Sequence, residues 1–252
     1  MPDCLRCDGR GGLTEDNFLL VSDYSIDTLR QLNLANDSAI RIPIRHQYVR
    51  SPVYDPVEKT VYWFYDNYIK RAYINGTQEN LVWRQEYDRW GSSIRAIAID
   101  PVSRLLYYTG TMYGLELGSN FLASMTLDGR HHFLLVTSRT NSIDNIALDP
   151  VTGTMYWSVG QGIDMAAMDG SQHHRLVNSD RYIYGLTIDA EGQCVYWCDG
   201  RRIESVAYDG NNRRLLAERQ TTLAKTTTEA VNTSASQRPT ELNAHVLVDS
   251  VK

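Results

Sequence analysis

The chain has 252 residues, 42% of them hydrophobic and 22% charged, which excludes wholesale disorder and fits one large domain or two small ones. A net charge of −5 argues against a binder of nucleic-acid backbones, so no nucleic-acid partner is expected. The longest apolar runs, such as Phe18-Leu19-Leu20-Val21, fall far short of the roughly 20 residues of a membrane helix, and membrane attachment is expected only through other parts of a parent chain.

In chain order, residues 1–17 come first. Met1 to Gly12 carries Cys, Arg and Gly where a signal peptide would have a basic tip and an apolar run. Cys4 and Cys7 form a Cys-x-x-Cys pair, half of a zinc site or a redox pair, with no second half at matching spacing. Cys194 and Cys198 lie in an extended run, Cys-Val-Tyr-Trp-Cys, whose ends stand about 13 Å apart, so no bond joins them. Cys198 then reads as a small buried residue, and Cys4 and Cys7 as the remnant of a Cys-rich, EGF-like neighbour. No metal and no cofactor are expected.

From residue 18 to residue 217 a repeat organises the chain, and such a period decides the fold before any local reading. Asp55-Pro56, Asp100-Pro101, Asp149-Pro150 and Asp189-Ala190 each lie seven residues before an aromatic pair: Tyr62-Trp63, Tyr107-Tyr108, Tyr156-Trp157 and Tyr196-Trp197. Thirteen residues after the first Tyr, three units carry a turn dipeptide: Asn75-Gly76, Asp169-Gly170 and Asp209-Gly210. In the remaining unit Asp128-Gly129 comes later, because residues 110–120 include an insertion. Asp to Asp, the units are 45, 49 and 40 residues long.

Each unit predicts four strands. Arg95-Ala-Ile-Ala-Ile99 and Asn145-Ile-Ala-Leu148 suit inner strands buried on two faces. Asp-Pro starts a type I turn, and the aromatic strand follows. Positions six, three and one before each Asx-Gly turn are apolar, as in Ile69, Ala72 and Ile74, or Ile203, Val206 and Tyr208. Asn-Gly and Asp-Gly between extended runs mark hairpins. A short apolar pair closes each unit, for example Leu81-Val82 or Leu176-Val177. Four antiparallel strands per unit of this length predict an all-β chain built as a β-propeller. A fifth, degenerate unit opens the chain, with Leu20-Val-Ser-Asp23 in the aromatic place and no inner strand on its N-terminal side.

The Tyr-Trp pairs and the Asp-Gly hairpins, in register over residues 18–217, resemble the YWTD (class B) repeats of the low-density lipoprotein receptor family. That resemblance implies a ring of six blades, of which this chain shows about five. The four-residue motif is degraded: Tyr62-Trp-Phe-Tyr65, Tyr107-Tyr-Thr-Gly110, Tyr156-Trp-Ser-Val159 and Tyr196-Trp-Cys-Asp199. Asp23 and Asp199 alone keep the final acid, which in the family helps tie blades together, and Asp66 is a candidate substitute. The resemblance further implies an extracellular module that engages protein ligands in endocytosis or signalling, in the manner of a Wnt co-receptor. A secreted matrix linker of the nidogen kind is the alternative, and a calcium-dependent propeller hydrolase a more distant one.

Residues 218–252 change composition. Thr221, Thr222, Thr226, Thr227, Thr228, Thr233 and Thr240 read as a stalk or disordered tail open to O-glycosylation, and Ala244-His-Val-Leu-Val-Asp249 resembles an inner strand. Asn36, Asn75 and Asn232 head N-glycosylation patterns.

Chemistry-bearing patterns are few. His131-His132 and His173-His174 follow Asp-Gly turns at equivalent places, where other units hold Glu79-Asn80 and Arg213-Arg214. They read as variable polar positions, with at most a part in acid-sensitive release. No Gly-x-Ser-x-Gly nucleophile elbow occurs, the inner-strand Asp residues have a turn to make, and no enzyme is expected. The composition favours an interface instead: 16 Tyr against 4 Phe, and Arg far above Lys. Candidate ligand-binding residues are those off the repeat register, Tyr87, Trp90, Tyr113, Arg139, Arg181, Tyr182 and Arg201. Propeller topology gathers their loops at one end of the channel, the end that in the family often receives protein ligands.

Overall fold

The computed structural model describes residues 18–23, 28–34, 36, 38–45, 49–84, 92–112, 119–139 and 141–219. The predicted turns fall where expected and divide these residues into five sheets with no helix among them. Blade 1 has three strands, β1 (Phe18–Asp23), β2 (Thr28–Asn33) and β3 (Ala39–Ile42). Blade 2 has β4 (Arg50–Asp55), β5 (Thr60–Tyr65), β6 (Tyr68–Tyr73) and β7 (Asn80–Arg84). Blade 3 has β8 (Ser92–Asp100), β9 (Leu105–Met112), β10 (Ser119–Thr126) and β11 (His132–Ser138). Blade 4 has β12 (Ile143–Asp149), β13 (Thr154–Val159), β14 (Gly162–Ala167) and β15 (His174–Asn178). Blade 5 has β16 (Gly185–Asp189), β17 (Cys194–Cys198), β18 (Arg202–Ala207) and β19 (Arg214–Glu218). Within each blade, consecutive strands pair antiparallel. Neighbouring blades pack in succession, β1 on β4, then the inner strands β4 on β8, β8 on β12 and β12 on β16.

Alternation along the aromatic strand joins each blade to two neighbours, because successive side chains leave opposite faces of a strand. Tyr62 and Ile69 meet blade 3 in one cluster, whereas Trp63 and Ala72 meet blade 1 in another. One repeat later, Tyr107 and Leu122 face blade 4 while Tyr108 and Met125 face blade 2. Tyr156 and Ile163 face blade 5, and Trp157 and Ala166 face blade 3. The odd spacing between the positions six and three before each turn therefore has a cause. The third strand must present one apolar residue to each interface. A register shift recurs beside the first of these positions, at Ile69/Lys70, Leu122/Ala123, Ile163/Asp164 and Ile203/Glu204, and such bulges add twist to a blade.

Polar contacts fix the lower rim, where the turns from first to second and from third to fourth strand lie. Asp55, Asp100, Asp149 and Asp189 each accept a backbone N–H two or three residues on, the turn role expected of them. Asp55 is also bound by Arg104 of the next blade at 2.7 Å, and Tyr107 donates its hydroxyl to the Met168 carbonyl of blade 4 at 3.2 Å. Thr109 Oγ1 donates to the Asp144 carbonyl at 3.2 Å, and Arg213 to the Asn178 carbonyl at 2.7 Å. The blade-to-blade network thus stands on residues other than the motif's final acid. Asp66 lies exposed in the turn after β5 with φ 52°, a left-handed backbone.

As expected, no bond joins Cys194 to Cys198, but Cys198 is less buried than its sequence reading and Cys194 is bonded elsewhere. Cys194 is disulfide-bonded and 1% exposed, whereas Cys198, on the same strand, is a free thiol of intermediate burial. Cys4, Cys7, the tail from residue 220 and the strand-like Ala244–Asp249 lie outside the described residues.

Candidate functional site

The upper rim carries the loops into each inner strand and those after each aromatic strand. Here three blades meet around one carboxylate. Asp144, on β12, receives Arg95 Nη1 of β8 at 2.6 Å on Oδ1. Its Oδ2 accepts the hydroxyls of Ser142 and of Tyr182, from the loop before β16. Arg95 is held from behind as its Nε donates to Thr111 Oγ1 at 3.1 Å, and Thr111 in turn donates to Asn120 at 2.8 Å. Every donor is therefore fixed by a strand or by a second hydrogen bond, so the cluster is preorganised.

Around this core the rim exposes aromatic and guanidinium groups. Tyr182 is 37% and Tyr184 53% exposed, with ring centroids 5.3 Å apart and planes at 61°. The Tyr182 hydroxyl is pushed up from the usual phenol range by burial, then by the Asp144 carboxylate it faces, which keeps it a donor. Arg181 reaches toward buried Asp199 at 3.9 Å with its side chain 45% exposed. Asp199 Oδ1 accepts the backbone N–H groups of Arg201 and Arg202 at 2.9 and 2.7 Å, closing the turn into β18. Arg201 pairs with Glu218 at 3.1 Å and Arg202 with Asp180 at 3.0 Å. Asp180 is held below the usual carboxylate range by that Arg202 hydrogen bond.

Of the sequence candidates, Arg181 and Tyr182 come together with the Asp144 core, and Arg201 sits beside them on the same rim. Arg139 is exposed in the loop before β12. Tyr87, Trp90, Tyr113 and Asn232 lie outside the described residues. Asn36 and Asn75 are exposed, each accepting the N–H two residues on, and Asn75 also accepts the Thr77 hydroxyl at 2.7 Å. Sequence reasoning missed Asp144, Arg95 and Tyr184. Tyr184 repeats Tyr182 at a spacing of two, a signal that was available; the other two pair across blades, which one strand's sequence does not show.

The histidines lie on the lower rim with structural partners. His132 Nδ1 meets the Tyr108 hydroxyl at 3.0 Å and Nε2 the Gly129 carbonyl at 3.0 Å, with Trp83 of blade 2 packed 4.9 Å away. A carbonyl can only accept, so Nε2 carries a proton and Nδ1 accepts from Tyr108. His173 faces Asp164 at 2.8 Å and packs on Trp157. Among the described residues no group of three or more His, Cys, Asp or Glu comes together as a metal site.

No family model matches the chain. A chain in the crystal structure of a nidogen/laminin complex superposes with a TM-score of 0.67 at 24% identity, over 79% of this chain and 77% of that one. A putative TolB from Agrobacterium tumefaciens gives 0.57 at 13% identity, over 80% and 70%. TolB from Acinetobacter baumannii gives 0.61 at 11% identity, over 80% and 52%. These likenesses share the β-propeller architecture. Blades 2 to 5 each carry an aromatic pair on the second strand, and the five sheets form a β-propeller.

Proposed function

We propose that the chain is an extracellular protein-binding module whose upper rim, around Asp144, receives the partner. The observation that carries this is the exposure of Tyr182, Tyr184 and Arg181 over a fixed polar base, since Tyr and Arg on a rigid platform make interface hot spots. The disulfide at Cys194 supports an oxidising, extracellular setting. Catalysis has no part in the reading, and recognition by a rigid toroid with variable loops is its mechanism.

Two settings share this chemistry. The YWTD repeats suggest the ectodomain of a low-density lipoprotein receptor-related protein, engaging ligands in endocytosis or signalling. The likeness to a nidogen/laminin complex favours a matrix linker. Binding to immobilised laminin separates them, and a chain that ignores laminin leaves the receptor reading.

A photo-crosslinking residue at Tyr184 should capture a protein from extracellular fluid, and the same probe at His131 should not. Against that partner, Arg181→Ala, Tyr182→Ala and Trp90→Ala are each expected to weaken binding by more than about 1 kcal/mol without unfolding. His131→Ala and His173→Ala should change it far less. The reverse ranking would put the binding face on the lower rim.

A further inference from the structure

The hairpin tip between the third and fourth strands is built alike in blades 2, 4 and 5. The N–H two residues before the Asx donates to the carbonyl two residues after it: Tyr73 to Thr77 at 3.0 Å, Ala167 to Ser171 at 2.9 Å and Ala207 to Asn211 at 3.0 Å. The Asx side chain then closes the turn through Oδ1, which accepts the N–H two residues on. Asn75 receives Thr77 at 3.0 Å, Asp169 receives Ser171 at 2.8 Å and Asp209 receives Asn211 at 2.9 Å. An Asp oxygen serves this turn as well as an Asn oxygen, so the fold makes no use of the Asn75 amide nitrogen. Blade 2 differs from the others around that nitrogen. Thr77 donates its hydroxyl to Asn75 Oδ1 at 2.7 Å, completing an Asn-x-Thr acceptor pattern whose amide oxygen is engaged. Asn75 and Thr77 are exposed, and Asn75 Nδ2 donates to no described residue. Two residues before Asn75 stands Tyr73, 38% exposed, where blades 3 to 5 hold Thr126, Ala167 and Ala207.

We infer that Asn75 carries an N-linked oligosaccharide whose first sugar packs on the Tyr73 ring. The site rests on the extracellular reading above, because the sugar donor is met on the secretory route. That donor is an oligosaccharide linked to a polyprenol pyrophosphate. Asn75 Nδ2 attacks the anomeric carbon of its first N-acetylglucosamine. A C–N bond forms, the bond from that carbon to the pyrophosphate oxygen breaks, the pyrophosphate leaves with the electron pair, and one amide proton passes to a base. The linked nitrogen keeps one hydrogen and Oδ1 keeps both of its hydrogen bonds, so the turn survives the modification.

The negative face of an aromatic ring attracts the C–H groups that line one face of a pyranose, and Tyr73 is held where such a sugar starts. Its N–H is tied to Thr77, and its carbonyl accepts the Gly76 N–H at 2.7 Å. The tip is also anchored to the preceding segment. A Cβ on Gly76 would lie 2.7 Å from the Pro43 ring, and Glu79 Oε2 accepts the Arg45 N–H at 2.8 Å. Asn36 shares the acceptor pattern but has Leu34 where Tyr73 stands, so the packing belongs to Asn75. A bulky glycan at this tip closes the lower rim of blade 2 to a partner and leaves the Asp144 side of the toroid open.

The test is mass mapping of the full chain, directed into the secretory route of cultured animal cells by an added leader. Trypsin cuts after Arg71 and Arg84 and releases Asn75 in the peptide Ala72–Arg84. That peptide is expected mainly as a glycopeptide of hexose and N-acetylhexosamine, and bare in Thr77→Ala and in Asn75→Asp. Asn75→Asp keeps the Oδ1 acceptor, as Asp169 and Asp209 do, so it stays folded. A chain held back in the cell is read from its secretory compartments, where transfer precedes export. A bare Ala72–Arg84 in the unaltered chain would overturn the proposal. The packing is read by enzymatic release of the glycan from the folded protein. The melting temperature should fall by a few degrees in the unaltered chain and hardly at all in Tyr73→Ala; equal falls would remove Tyr73 from the site. A bare peptide with partner capture intact at Tyr184 sinks this site and leaves the binding module standing. A glycopeptide without that capture does the reverse.

Discussion

Gly129 sits at the tip of the β10–β11 hairpin with φ +73°, and a Cβ there would lie 2.3 Å from the Val82 carbonyl oxygen of the preceding blade. Two constraints therefore coincide, a left-handed backbone and a close backbone approach across the blade interface. Gly153 separates them: its φ is +68°, but nothing lies within 4 Å of the added atom. Gly153→Ala should cost about 1 kcal/mol, the left-handed penalty alone, and Gly129→Ala at least twice that, read as shifts of the denaturation midpoint. Equal costs would mean that the hairpin tip yields freely from blade 2. The place of Gly153 in its turn is taken by Lys59, Arg104 and Gln193 elsewhere, all with positive φ. No residue type announces a left-handed conformation there, so only the Gly of blade 4 was legible in the sequence. Gln193→Gly should raise stability by roughly 1 kcal/mol on the same grounds.

A strand that serves two interfaces must put an aromatic on each face, and the Tyr-Trp pair does this with adjacent residues. Trp63, Trp157, Tyr62 and Tyr156 are fully buried. The buried phenols carry a pH signature. Tyr107 and Tyr108 are both pushed up to about 12, by burial above all. A raised folded pKa means that the folded state favours the neutral phenol. That stability is complete below about 10, the ordinary tyrosine value, and is lost as pH rises through about 12. Absorbance titration near 295 nm should show these tyrosines ionising only with alkaline unfolding. Full phenolate absorbance reached before loss of the folded signal would contradict this burial. The blade was legible from sequence because turn residues, aromatic pairs and apolar positions repeat in register. The site was half legible. Arg181 and Tyr182 stand out as departures from the repeat, but Arg95 reads only as the first residue of an inner strand and Asp144 carries no signal, and their meaning lies in the 2.6 Å contact between two blades.

Across the whole molecule, stability follows position in the row. A blade with neighbours on both faces loses two apolar interfaces when it opens; an end blade loses one, so opening free energy should grade from the ends inward. Blade 3 has the longest strands, nine residues in β8 and eight in each of β9 and β10, with clusters on both faces. Blade 1 ends in β3, whose first three residues are exposed, and blade 5 ends in β19, exposed over its last four. Native-state hydrogen exchange should therefore find the amides of β9 and β13 slowest, exchanging through global unfolding, and those of β3 and β19 fastest. Cutting the Cys194 disulfide should speed exchange in β17 and β18 while leaving β9 nearly unchanged, because the bond constrains an end of the row and not its middle. Two results would overturn this view. Uniform protection in all five blades would make the ring one cooperative unit, and acceleration in β9 as large as that in β17 would mean that the Cys194 bond holds the whole ring together.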